Sequence, residues 1–147
     1  EVPQTKVYAV ELSEDAYRFA KRNIANHAPE VELRLGAMQE VVSDLVGKLD
    51  VVISNPPYIP NSAIPIDPEV RDHDPELALY GGEDGLDVIR DISGIAAALL
   101  RPGGLLVLEH ADGQSEQIRE LLLDCGWLNV CAFQDATFRY RTITALR

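Results

Sequence analysis

The period of the apolar positions changes several times along this chain, and each change marks a predicted element. Val7–Val10 reads as a short strand that ends on Glu11. Behind Ser13, a natural N-cap, Ala16, Phe19, Ala20 and Ile24 recur at helical spacing, which predicts a helix over Glu14–Asn26 stopped by Pro29. Val31–Leu35 alternates apolar and polar residues and predicts a half-buried strand, after which Gly36-Ala37-Met38 turns out of the sheet. A short helix is predicted over Met38–Val46, with Val41, Val42, Leu45 and Val46 on one side and Gly47 as its C-cap. A third strand follows over Asp50–Ser54. Residues 59–84 are rich in proline and acidic side chains and predict an irregular connection, of a length that is uncommon unless it binds something or is disordered. Val88, Ile89, Ile92, Ile95, Ala96, Leu99 and Leu100 then mark a long amphipathic helix ending at Arg101-Pro102-Gly103-Gly104. Leu105–Leu108 is a continuous apolar run, expected to be a central strand. Gln114–Asp124 is helical by pattern, closed by Cys125-Gly126-Trp127. Val130–Phe133 and Thr142–Leu146 predict an antiparallel hairpin around the polar turn Asp135–Tyr140. Strands alternating with helices, closed by a hairpin, indicate an α/β fold with a mostly parallel sheet.

The third strand stops abruptly at Asn55-Pro56-Pro57-Tyr58. Two prolines cannot continue a sheet, since each lacks an N–H and has a fixed φ, and Pro57 biases Pro56 toward extended backbone. The result is a stiff polar-aromatic loop at the carboxyl end of a strand, where open α/β sheets bind ligands. The Asn55 carboxamide oxygen and the Pro56 carbonyl are two acceptors able to take both hydrogens of one planar –NH₂ group. That arrangement turns the nitrogen lone pair away from the loop. Tyr58 adds a flat face for a planar amide or base, and its π-face suits a nearby cation such as a sulfonium. The same four residues also read as a plain strand-ending turn.

Ser54-Asn55-Pro56-Pro57-Tyr58-Ile59 resembles the signature of S-adenosylmethionine-dependent methyltransferases acting on planar amino groups. These include DNA adenine-N6, some RNA base and protein glutamine-N5 enzymes. Asp74-Pro75-Glu76-Leu77-Ala78-Leu79-Tyr80-Gly81-Gly82-Glu83-Asp84-Gly85-Leu86 is similar to the segment that follows this motif in the HemK/PrmC family, whose members methylate the glutamine of the Gly-Gly-Gln motif in peptide chain release factors. The resemblance runs over nearly the whole chain. It implies a class I S-adenosylmethionine methyltransferase (Rossmann-like) fold, S-adenosyl-L-methionine as cofactor and a release factor as protein partner. Asn55, Pro56, Pro57 and Tyr58 are then the catalytic and substrate-binding residues, and Asn55 also borders the cofactor.

The resemblance assigns Glu11, at the end of the second strand of such a unit, to the cofactor ribose, a place where acidic residues hydrogen-bond both hydroxyls. Glu11 also reads as an acidic residue near a helix N-terminus, although Glu14 and Asp15 fit that role better. Many relatives carry an acidic residue at the place of Ala37, to accept the adenine amino group. Ala37 cannot do so with its side chain, and a backbone contact would have to replace it. Met38 matches an apolar position flanking the adenine ring, and it reads equally as a core residue. By the same resemblance, residues 59–84 border the peptide-substrate groove. Gly81-Gly82 and Gly85 supply tight turns before a helix. A phosphate-binding loop is the rival reading, but there is no Lys-Ser/Thr ending and no preceding strand. Glu109-His110 invites a general-base role, which methyl transfer to an amide does not need. His73 is expected to be exposed or capping, and Arg139 and Arg141 to be solvated.

A length of 147 residues suits one domain with one core, and 46% hydrophobic with 25% charged residues is ordinary for a globular chain. The net charge of −11 disfavours direct phosphate contacts with nucleic acid. Cys125 and Cys131 make no metal pattern and are expected to be buried thiols. No apolar run is long enough to span a membrane, no signal peptide is visible, and the expected location is cytoplasmic.

Against the implied fold, the chain reads as a partial catalytic domain over residues 1–147. The first strand with its Gly-rich cofactor loop and the N-terminal helical domain are expected to be absent, and Glu1 reads as the tail of the first helix of such a unit. Two strands would then face a gap with unpaired backbone groups. A companion segment, or strand exchange between copies, would fill it. Beside release factor methylation, two other functions remain: an amino methyltransferase acting on DNA or RNA bases, and an inactive binding remnant.

Overall fold

The structure is a computed structural model, and residues 4–147 are described. Glu1, read above as the tail of a helix, lies outside the described residues. The chain divides into two compact units, one ending at Leu45 and one starting at Val46. Strand pairing supplies the reason. The described strands form a two-stranded and a four-stranded sheet, and no pairing joins them.

The first unit is a β-α-β element. Strand β1 (Tyr8–Glu11) runs parallel to β2 (Glu32–Leu35), with helix α1 (Glu14–His27) between them in sequence. Ser13 caps α1 as expected, its hydroxyl accepting the Ala16 N–H at 3.3 Å. The helix expected over Met38–Val46 is broken into α2 (Met38–Val41) and a 3₁₀ turn (Ser43–Leu45). The Arg34 guanidinium donates to the Val41 carbonyl at 2.6 Å, the acceptor that a continuous helix would offer to the Leu45 N–H. Leu45 instead donates to Val42 at 2.9 Å, the shorter 3₁₀ bond. Arg34 also pairs with Asp44 and with Glu32, which raises its pKa above the ordinary value.

The second unit holds most of the buried core. Its sheet has the order β3-β4-β6-β5, built from β3 (Leu49–Ser54), β4 (Leu100–Glu109), β5 (Leu128–Gln134) and β6 (Tyr140–Leu146). β3 and β4 are parallel, whereas β6 is antiparallel to both β4 and β5, as the predicted hairpin requires. β4 is longer than Leu105–Leu108 because its pairing starts at Leu49↔Leu100. It then jumps to Val51↔Leu105, so residues 101–104 form a bulge.

This register places Val52, Leu106 and Ala145 in one row, and Leu108 with Ile143 in another, all buried. The buried side chains of helix α5 (Asp87–Leu99), including Ile89, Ile92 and Ala96, belong to this core with Ile118 and Leu122 of α6 (Ser115–Asp124). Trp127 is buried too, and its indole N–H donates to the Ser93 hydroxyl at 2.8 Å. The opposite sheet face carries Val51, Ile53 and Phe133, and Ile53 is 74% exposed there.

Both cysteines are free and exposed, against the expectation of buried thiols. Cys131 lies on the open face of β5 at the sheet edge, and Cys125 follows the last turn of α6. The region expected to be irregular also holds short helices, α3 (Pro68–His73) and α4 (Glu76–Leu79). Asp67 starts α3 by accepting the Glu69 N–H at 3.0 Å, with Pro68 preset in the first turn. His73 is exposed in the last turn. No helix among the described residues is long and apolar enough to cross a membrane.

Candidate functional site

β3 delivers Asn55-Pro56-Pro57-Tyr58 at its carboxyl end, with Asn55 exposed, Pro56 buried, and Pro57 and Tyr58 half-buried. The loop is tied down along its far side. Ile59 donates to the Leu79 carbonyl at 2.9 Å and accepts from the Gly81 N–H at 2.9 Å, and Asn61 donates to Gly82 at 2.9 Å. Close approach of Gly81 and Gly85 makes this possible. A Cβ on Gly81 would lie 2.6 Å from the Pro57 carbonyl oxygen, and one on Gly85 would lie 2.4 Å from that of Tyr58. The glycine segment therefore clasps the Pro-Pro-Tyr backbone rather than cradling a phosphate, which disposes of the phosphate-loop reading. Asp84 braces the same turn by accepting from the Leu86 N–H and pairing with Arg90, and these bonds lower its carboxyl pKa to about 2.

Tyr58 is held at both ends. Its carbonyl accepts from Gln114 Nε2 at 3.0 Å, and its hydroxyl accepts from Arg141 at 3.0 Å. The Arg141 guanidinium also lies 5.5 Å from the Tyr58 ring centroid and 3.6 Å from Glu109. Arg141 is thus part-buried and engaged, not solvated as its place beside a polar turn suggests. Only the β4–β6 register, which sets Glu109 opposite Thr142, brings it to the loop. Arg139 is exposed as expected.

His110 is fully buried. Its Nδ1 donates to the Ala111 carbonyl at 2.8 Å, and its Nε2 faces the Ser115 hydroxyl at 3.4 Å. Each ring nitrogen thus faces a partner within the fold. Among the described residues, no hydrogen bond occupies the Asn55 carboxamide or the Pro56 carbonyl. Neither of the two acceptors singled out in the sequence is thus taken up by another hydrogen bond, and the backbone that follows them is tied to the glycine segment.

The other predicted residues, Glu11, Ala37 and Met38, lie in the first unit and are half-buried. Pairing of β1 with β2 brings them together, because Glu11 aligns with Leu35 and its carbonyl accepts the Gly36 N–H at 2.9 Å. Glu11 Oε1 accepts from the Ser13 N–H at 2.8 Å, which fixes the carboxylate ahead of α1. Ala37 stands at the N-terminus of α2 with no side-chain cap. A fixed carboxylate acceptor beside backbone donors and a thioether suits an adenosine, with its two ribose hydroxyls and flat base. Among the described residues, no cluster of side chains fit to hold a metal occurs.

Residues 1–67 match the family described as Methyltransferase small domain. The chain is 48% identical over 147 residues to a release factor glutamine methyltransferase of Streptomyces coelicolor, covering 99% of this chain and 52% of that protein. Over nearly its whole length the chain is similar to proteins named release factor glutamine methyltransferases. It spans about half the length of the curated relatives it matches. A 4-amino-L-phenylalanine/4-methylamino-L-phenylalanine methyltransferase of Streptomyces pristinaespiralis is 41% identical over 125 residues, covering 85% of this chain and 42% of that protein. A solved methyltransferase structure from Pyrococcus furiosus aligns with a TM-score of 0.69 and 26% identity over 96% of this chain and 62% of that one. The fold is that of the class I S-adenosylmethionine methyltransferases.

Proposed function

We propose that this chain carries the amide-holding part of an S-adenosylmethionine-dependent methyltransferase. Its substrate is the glutamine side chain of the Gly-Gly-Gln motif in peptide chain release factors, methylated at N5. The carrying observation is a pair of acceptors that no other hydrogen bond takes up, the Asn55 carboxamide and the Pro56 carbonyl, at the end of β3 on a loop clasped by Gly81 and Gly85. Similarity to relatives named for that activity over 99% of the chain supports the choice of acceptor.

Glu11 is assigned to the ribose hydroxyls of the cofactor, and Ala37 and Met38 to its adenine, through backbone and thioether contacts. When bound, S-adenosylmethionine supplies an electrophilic methyl group. The chain's own part is orientation. An amide nitrogen is a poor nucleophile because its lone pair is delocalised, so rate depends on holding it in one geometry. Asn55 and Pro56 accept its two hydrogens and polarise the nitrogen. Pro57 fixes the spacing of the two acceptors. Tyr58 packs on the amide plane. The nitrogen becomes acidic once alkylated and gives its proton to water, in keeping with a His110 whose ring is already engaged. The net charge of −11 argues against the reading that places nucleic acid in the site. A protein that methylates release factors would act in the cytoplasm, and that location is part of the proposal.

The test is Asn55→Ala in the complete natural polypeptide, followed by the mass of the release factor after incubation with S-adenosylmethionine. A loss on the order of 10²-fold or more in kcat is expected for removing one preorganised acceptor. Near-normal methylation would sink the assignment. The thermal midpoint should not move, because Asn55 is exposed and makes no hydrogen bond among the described residues.

We also propose that the outer edge of β3 accepts a further strand, from a companion segment or from another copy. β3 pairs only with β4 among the described residues, and its Val51 and Ile53 are exposed. A strand paired there should slow exchange of the β3 amides that point away from β4, and exchange that stays fast in the complete natural polypeptide counts against this edge.

A further inference from the structure

Gln114 has no role in the chemistry outlined above, yet it is 92% buried beside the loop (8% exposed). It sits at the N-terminus of α6, and its carboxamide has one partner on each side. Oε1 accepts the Ala111 N–H at 2.9 Å, and Nε2 donates to the Tyr58 carbonyl at 3.0 Å. Neither partner tolerates the reversed amide, since the Ala111 N–H can only donate and the Tyr58 carbonyl can only accept. Gly85 leaves the space for this bond. A Cβ there would lie 2.9 Å from Gln114 Nε2 as well as against the Tyr58 oxygen. The side chain thus links the end of β4 to the middle of the loop, across 56 residues of sequence.

We propose that Gln114 is a positioning residue for methyl transfer, which fixes the Asn55–Pro56 acceptors by anchoring the Tyr58 carbonyl to the end of β4. The inference rests on the reading of that loop as the amide clamp. Two variants separate positioning from packing. Gln114→Met keeps length and volume but loses both hydrogen bonds. Gln114→Glu keeps the shape, and bridges the same two partners only when its carboxyl is protonated. As a carboxylate it sets an oxygen against the Tyr58 carbonyl.

The experiment follows amide hydrogen exchange and release factor methylation in the complete natural polypeptide. In Gln114→Met, exchange at Ile59 should speed by roughly tenfold while Leu106 and Leu108 stay as in wild type, and kcat should fall roughly tenfold to a hundredfold with little change in KM for S-adenosylmethionine. Gln114→Glu should recover part of its kcat as pH is lowered. An active wild type with unchanged kcat in Gln114→Met overturns the proposal. So does exchange that is unchanged at Ile59, or that speeds equally across β4. A wild type that does not methylate release factor, with Ile59 still loosened selectively in Gln114→Met, leaves the anchor standing and removes the amide-clamp reading instead.

Discussion

At the scale of single residues, the site depends on what glycine lacks. Gly85 has φ +79 and its absent Cβ would strike the Tyr58 carbonyl oxygen at 2.4 Å. Gly85→Ala must therefore strain its own backbone and push the loop away. We expect a loss of about 1–3 kcal/mol in urea unfolding, together with lower methylation. Asp84, in the same turn, gives a pH signature. Its carboxyl pKa is lowered to about 2 by the Arg90 hydrogen bonds first and the Leu86 N–H second. A depressed carboxyl pKa contributes stability that is present above the ordinary value of 3.8 and is lost as pH falls toward about 2. Asp84→Asn should remove that part of the acid dependence. The urea midpoints of wild type and variant should differ at pH 5 and converge near pH 2, and a constant gap would show that Asp84 does not titrate with folding.

Among elements, helical spacing locates α1, α5 and α6, and Ser13 caps α1. Gly47, expected as a C-cap, closes no helix because α2 ends at Val41. The largest departure arises where another side chain competes for the backbone. α1, α5 and α6 lie within a residue or so of the pattern-based reading. The helix over 38–46 broke because Arg34, from β2, took the Val41 carbonyl. No local propensity contains that information. Residues 59–84 gained α3 because Asp67-Pro68 is a start signal that a broad description as proline-rich and acidic had hidden. The junction of α5 with the loop before β5 hangs on one buried polar contact, from the Trp127 indole to the Ser93 hydroxyl. Ser93→Ala should leave that N–H unpaired and cost about 1–3 kcal/mol by denaturant titration. Ser93→Thr, which keeps the hydroxyl, should cost less if the pocket accepts a methyl group.

For the molecule as a whole, the second unit's sheet is buried on one face and open on the other. Leu108 is fully buried, whereas Ile53 is 74% exposed on the opposite side. Leu108→Ala should cost about 2–5 kcal/mol, and Ile53→Ala only a few tenths. Equal losses in the complete natural polypeptide would mean that something covers the open face there. The first unit depends on other forces. α1 has no buried residue, and the parallel pairing of β1 with β2 is joined by Arg34, which ties β2 to the α2 region.

The sequence by itself determined the alternation of strands and helices, the closing hairpin and the loop carrying Asn55 and Pro56. Those depend on local rules: side-chain period, proline's missing N–H, and caps within a turn of the residue they serve. The placement of Glu11 at the end of β1, and of Ala37 and Met38 just after β2, was also legible, and their contacts with a cofactor are proposed. Tertiary structure alone decided what holds the loop. Gln114 and Arg141 reach Tyr58 across 56 and 83 residues of sequence, and the glycines matter through contacts that a Cβ would forbid. Such bonds depend on sheet register and on which strands are neighbours, and no periodicity along one stretch of chain encodes them.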